Sequence, residues 1–282
     1  MTSDPASGVK FAGGGTILPY TRVLSAVIVP FLALAFVVLY LFPDQTAALF
    51  AWPIKATMTS MTLASAYLGG IYFFTRVALR ERKWSAVSGG FVAVALFATL
   101  LAIATLAHWS MFSHDKVAFW LWAGLYFTTP FLVVGGWLAN TRSAHPGEPD
   151  GLELSAVAAR TVGIVGLLAL LQGIALFLAP AQLIPLWPWP LTPLTAKVVG
   201  AIFCLGCAGL FTWRDPRWSS IRLLLDVSIV MIVAILVAAV RARGEFAPDR
   251  ALTWLLGAGF IAVLVGAVWL RTVMRRRAAS EA

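Results

Sequence analysis

The chain has 282 residues, 60% of them hydrophobic and 12% charged, with a mean hydropathy of +0.88, whereas an ordinary soluble domain is roughly 45–50% apolar and about 25% charged. This composition excludes a water-soluble globule and predicts an all-α integral membrane protein. The net charge of +9 would suggest nucleic acid in a soluble chain, but the Lys and Arg residues gather in short segments between apolar runs. There they set orientation and meet anionic headgroups, so the expected partners are membrane lipids, with no nucleic acid.

Residues 1–20 read as a small, polar cytoplasmic tail that lacks the charged start, apolar stretch and cleavage site of a signal peptide. Apolar runs follow at about 21–42, 56–78, 86–107, 117–138, 159–179, 194–212, 219–240 and 251–270. Each has about the 20 residues needed to cross a ~30 Å hydrocarbon layer. Eight transmembrane helices are therefore expected. The one sizeable polar connector, ANTRSAHPGEPDGLELS at 139–155, lies at the midpoint and divides the chain. A first four-helix repeat is expected over 21–138, a cytoplasmic linker over 139–158, a second repeat over 159–270 and a basic cytoplasmic tail over 271–282.

With the N-terminus in the cytoplasm, fifteen Lys and Arg residues fall on the cytoplasmic side and six on the other. The positive-inside rule then places both termini in the cytoplasm, which requires an even number of helices. Self-comparison supports that number. A shift of 137 residues aligns Pro43 with Pro180, Trp52-Pro53 with Trp189-Pro190, Leu68-Gly69 with Leu205-Gly206 and Phe74-Thr75 with Phe211-Thr212. A shift of 134 then pairs Arg80 with Arg214, Trp84-Ser85 with Trp218-Ser219, Phe112 with Phe246, Asp115 with Asp249 and Trp120-Leu121 with Trp254-Leu255. One three-residue deletion in a cytoplasmic loop accounts for both registers. Halves of four helices enter the membrane in the same sense, which gives a pseudo-two-fold axis along the membrane normal and puts any shared cavity on that axis.

The segment LWPWPLTPLTAK (186–197) and its partner LFAWPIKATMT (49–59) both precede a helix on the non-cytoplasmic side. Tryptophan suits the headgroup layer and proline the first helical turn, so the plain reading is an interfacial anchor. The alternative sets Trp52 and Trp189 at a pocket mouth, with Lys55 and Lys197 attracting an anion. This paired Trp-Pro pattern resembles a group of uncharacterised bacterial multi-pass integral membrane proteins, over most of the chain after Arg22. The resemblance implies a bacterial inner (plasma) membrane location and no particular chemistry.

His108 and His114, beside Asp115, read as loop residues rather than metal ligands, and no pair of facing histidines is available for haem. Asp115 and Asp249 are expected to cap the helices that follow them. Cys204 and Cys207 read as small packing residues, since their repeat equivalents are Tyr67 and Gly70. Inside the hydrocarbon, Asp226 is costly at about 3 kcal/mol and therefore a functional candidate. Its plain partner is Arg222, one turn earlier on the same helix. Gln172 and the series Thr57, Thr59, Ser60, Thr62 and Ser65 are expected to donate interhelical hydrogen bonds around Gly69 and Gly206, or to line a polar path.

The candidate ligand or pathway residues are thus Asp226, Arg222, Gln172, Lys55, Lys197, Trp52, Trp189 and Tyr67, with no catalytic, cofactor or metal residues. No two acids sit together in a span for acid–base work, and no phosphate-cradling glycine loop or nucleophile elbow occurs. The expected function is a non-enzymatic membrane protein that binds or moves a small amphiphile or ion at the interface of the repeats. The alternative is a structural or accessory subunit of a larger membrane complex, with protein partners or a homo-oligomer left open.

Overall fold

The computed structural model describes residues 15–144 and 151–280, and among these the chain is helical, with no strand and two isolated bridges. Residues 1–14 of the expected N-terminal tail, with Lys10, 145–150 in the middle of the expected linker, with His145, and 281–282 of the basic tail lie outside the described residues. Seven helices are long and apolar enough to cross a membrane: α1 (Pro19–Phe36, continued by a π turn Val37–Leu41), α3 (Ser88–Ala107), α4 (Val117–Ser143), α5 (Ala156–Leu178), α6 (Pro193–Cys204, continued as a 3-10 helix Leu205–Trp213), α7 (Trp218–Arg241) and α8 (Ala251–Ser280). The expected basic tail is not separate, because α8 runs through it to Ser280. Likewise the linker is shorter than expected, since α4 runs to Ser143 and α5 starts at Ala156.

The other long helix, α2 (Thr57–Leu79), has 23 residues but falls short of its neighbours in apolarity. Packing explains why. Every residue from Met58 to Tyr67 is buried, between α1, α6 and α7, so its hydroxyls face protein rather than lipid. At its start, where Ala56 cannot cap, the Glu245 carboxylate accepts from the Thr57 and Met58 backbone N–H groups at 2.7 and 2.9 Å. Bonds of this charged kind stabilise by about 1.5–3 kcal/mol each. At its far end Arg76 meets Glu81 and, through it, Arg222 at the start of α7. The helix α2 therefore runs antiparallel to α7 and covers the same distance.

Helix pairing crosses between the two halves of the chain. α1 packs on α2, α3 on α4, α5 on α6 and α7 on α8, while α2 packs on α7 and α6 on α3, and α2 touches α6 between them. Local contacts recur at the two shifts found in the sequence. Ile17 N–H donates to Arg82 O and Trp84 N–H to Gly15 O at 3.0 and 2.8 Å, and Leu154 N–H donates to Pro216 O and Trp218 N–H to Leu152 O at 2.9 and 2.8 Å. At the opposite end, Ser113 N–H donates to Ala51 O and Ala247 N–H to Pro188 O. Trp52 packs on Phe112 and Trp189 on Phe246 with ring centroids 5.0 and 5.7 Å apart.

The tightest helix contact is α5 on α6. A Cβ at Gly173 would lie 2.5 Å from the Gly200 carbonyl oxygen, and one at Gly166 the same distance from that of Gly206. Only glycine permits this approach. Nine residues of 3-10 helix in α6 is long for that geometry, and length offers a reason. From Thr75 to Arg80 the chain takes five steps and from Thr212 to Arg214 two, so α6 reaches its following loop with fewer residues than α2. At about 1.5 Å per α residue and 2.0 Å per 3-10 residue, α2 covers about 34 Å and α6 about 36 Å.

Candidate functional site

The polar groups that intrude furthest into the apolar bundle lie near the end that holds Gly15, the loop after α2, the loop after α6 and the end of α8. Asp226, on α7, is 6% exposed. Its carboxylate accepts from both Nε and Nη2 of Arg271 on α8, and from the Tyr72 hydroxyl of α2 at 3.3 Å. Tyr72 in turn accepts from Arg76 Nη1 at 3.0 Å, and Arg76 Nη2 donates to Glu81 at 2.5 Å. Glu81, buried in the loop after α2, also meets Arg222 at 3.4 Å, while its backbone carbonyl accepts from Arg22 of α1. One chain of contacts, Arg271–Asp226–Tyr72–Arg76–Glu81–Arg222, thus joins α2, α7 and α8 and rises from the bundle to its end. Its charges do not cancel: three arginines face two carboxylates, and Arg22 brings the cations to four.

This corrects the expected partner of Asp226. Arg222 lies one turn away on the same helix, yet it reaches Glu81 instead, and the countercharge on Asp226 is Arg271, from α8. Two acids in contact with separate arginines satisfy burial better than one short local pair would, because the carboxylate of Asp226 gains a two-point fork from Arg271.

Glu81 was not singled out from sequence, although a signal exists. Residues 80–85 read Arg-Glu-Arg-Lys-Trp-Ser and 214–219 read Arg-Asp-Pro-Arg-Trp-Ser, a shared order of Arg, acid, any residue, base, Trp and Ser. In the later segment Asp215 accepts from Arg217 Nε and Nη2 at 2.6 and 2.7 Å and from the Ser220 hydroxyl at 2.7 Å. Burial works against the charge of Asp215, but these bonds outweigh it and hold the carboxyl below its usual range. No arginine on α6 precedes Arg214 as Arg76 on α2 precedes Arg80.

The remaining candidates are dispersed. Trp52 and Trp189 are each 2% exposed and are not headgroup anchors. Trp52 packs among Phe50, Phe112 and Trp122, and Trp189 beside Trp187 and Phe246. Trp189 Nε1 donates to Thr59 Oγ1 across the halves at 2.9 Å. They do not form a mouth with the lysines. Lys55 is exposed, and Lys197 donates to the Phe177 carbonyl at 2.7 Å near the end of α5, lying over the Phe177 ring.

Tyr67 is buried and accepts from the Tyr126 hydroxyl at 2.9 Å. Gln172 donates no interhelical bond; its Nε2 is buried without a partner. Of the α2 hydroxyls, Ser60 donates to Leu39 O of the π turn, while Thr62 and Ser65 donate within their own helix to Met58 O and Met61 O. Thr57 donates to Asp44. Gly69 faces Met231 and Gly206 faces α5.

Asp115 does not cap α4, whose first cap position is Lys116 and has no side-chain bond. Asp249 likewise precedes α8 by two residues, and its carboxylate accepts no hydrogen bond among the described residues. His108 sits where α3 ends, and burial, followed by the charge of Lys197, holds its imidazole below the usual range. Cys204 and Cys207 are buried free thiols. Among the described residues no three His, Cys, Asp or Glu side chains come together as metal ligands. No family model matches the chain, and neither a curated protein nor a solved structure does.

Proposed function

We propose that the chain crosses a bacterial inner membrane eight times as two tandem four-helix halves, 21–138 and 159–270, related by a pseudo-two-fold axis along the membrane normal. Both termini lie in the cytoplasm, and the protein binds or moves a small amphiphile or ion where the halves meet. The eighth crossing is supported by α2, which matches α7 in length, meets Glu245 beyond the end of α7 and, through Glu81, reaches Arg222 in its first turns. The duplication is supported by the matched bonds at Ile17 and Leu154 and at Trp84 and Trp218. The bacterial setting rests on the resemblance carried by LWPWPLTPLTAK.

Orientation follows the arginines, which concentrate at the end holding the Asp226 network. A cysteine placed at Ala278 is expected to resist a membrane-impermeant maleimide in intact cells and to react once they are permeabilised. Labelling of intact cells would reverse the orientation.

Asp226 carries the functional reading. A charged group within an apolar span is costly, and intramembrane acids mark ligand or ion paths. A chain that needed only to pack could replace the pair with apolar residues at little cost to stability. Instead the network links α2 of one half to α7 and α8 of the other. Native mass spectrometry of protein extracted in mild detergent is expected to reveal a discrete non-covalent adduct that is lost from Asp226→Asn. Equal occupancy in the variant would remove Asp226 from the site.

A further inference from the structure

Arg222, the outer member of the Asp226 network, also lines a cleft of about 380 Å³ together with Lys83, Gly151, Leu152, Trp218, Ser219 and Ala278. The volume is within the range of small-molecule sites, roughly 300–1,000 Å³. Lys83 comes from the first half of the chain, while Trp218, Ser219 and Arg222 come from the second. The cleft therefore opens where the halves meet.

We propose that this cleft binds a phosphate group, held by Lys83 and Arg222 and by the first turn of α7. The two cations are only loosely committed elsewhere. Lys83 has no side-chain partner among the described residues, and Arg222 touches Glu81 only at 3.4 Å, with its side chain 43% exposed and its Nε buried without a partner. Arginine and lysine supply complementary recognition of phosphate, the first as a planar fork and the second as a point charge.

The start of α7 adds to the field. Its cap residue Arg217 makes no side-chain capping bond; the Trp218 and Ser220 N–H groups are taken by Leu152 O and Arg217 O, which leaves the Ser219 N–H and the positive end of the helix dipole to an anion. The Ser219 hydroxyl can donate one more bond. Beside these groups, Leu152, Trp218 and Ala278 provide apolar walls that suit the carbon skeleton of a phosphate ester better than a bare ion. Arg275, Arg276 and Arg277, exposed on the last turns of α8 next to Ala278, raise the local concentration of anions.

The chemistry is that of a phosphate ester, from either a lipid headgroup or a soluble ester. The inference rests on the reading of a binding site between the halves, and the two fail separately: Asp226→Asn tests the acid within the bundle, Lys83→Gln the cleft.

The full chain is placed in nanodiscs of phosphatidylcholine with and without phosphatidic acid, and bound phosphatidic acid is measured by native mass spectrometry. Glycerol 3-phosphate and inorganic phosphate are titrated separately against the phosphatidylcholine discs. Loss of one charge-assisted contact is expected to weaken binding about tenfold in Lys83→Gln, and further in Lys83→Gln/Arg222→Gln. Arg82→Gln, which removes the same charge from an exposed position outside the cleft, is expected to bind as the parent does.

A tenfold loss for phosphatidic acid assigns the site to a lipid headgroup; the same loss for glycerol 3-phosphate assigns it to a soluble ester. Absence of binding by every probe overturns the proposal. So does undiminished binding in Lys83→Gln, whose unpartnered side chain can be removed without disturbing the fold, or an equal loss in Arg82→Gln.

Discussion

Gly173→Leu is expected to destabilise the protein by about 3 kcal/mol or more, because overpacking against backbone leaves nothing that can swing aside. A Cβ there would stand 2.5 Å from Gly200 O and 2.7 Å from Cys204 N, both fixed by the helical ladder of α6. The helices would have to separate, and the packing of α6 on α3 and α2 would separate with them. Gly163→Ala is the control. Its new Cβ meets the ring of Trp213, a side chain that is 49% exposed and free to turn. Melting followed by fluorescence-detected size exclusion in detergent checks both. A Gly173→Leu protein that melts with the parent would mean that α5 and α6 do not approach so closely.

The second large effect concerns the pair within the bundle. Asp226→Leu is expected to cost about 3–5 kcal/mol, since Arg271 is then left without its countercharge. Tyr72 loses an acceptor as well. Arg271→Met should be comparably harmful, because it strands the carboxylate. The double variant Asp226→Leu/Arg271→Met is expected to recover most of the loss, as a well-packed apolar pair can replace a buried ion pair nearly neutrally. Unfolding in mixed micelles measures the three, and the cycle reads the coupling directly. If the double variant were as unstable as the two single losses added together, the contact between Asp226 and Arg271 would not exist.

Arg271 cannot be found as the partner of Asp226 from sequence spacing. Spacing along a helix reveals only neighbours three or four residues away, and so it offered Arg222. The true countercharge is 45 residues further on, on another helix, and its proximity depends on how α7 and α8 pack. The apolar runs, by contrast, were legible because lipid imposes length and composition on each span separately. They agree with the observed helices to within a few residues, except where α4 and α8 continue into polar sequence as helix beyond the apolar stretch.

The polar series of α2 was recognised, but its partners were not. Thr62 and Ser65 satisfy their hydroxyls locally, whereas Ser60 finds a carbonyl in the π turn. Trp52 and Trp189 misled for a different reason. Tryptophan before a helix at a span boundary fits the headgroup layer, but here the loops fold inward and the rings fill the ends of the bundle. The partners of Glu81 are not legible in the sequence, because loop charges report orientation and not their individual contacts.

The 3-10 half of α6 also bears on which residues can face α5. With three residues in each turn, side chains three apart fall in a straight flute instead of a spiral. Gly206, Gly209 and Thr212 occupy such a flute: the two glycines meet Gly166, and the Thr212 hydroxyl donates to Ala159 O. A shortening by three residues removes one whole turn of this winding and leaves the phase of everything downstream intact. Losing one or two residues would instead swing the Trp-Ser start of α7 by about 120° or 240° around the axis.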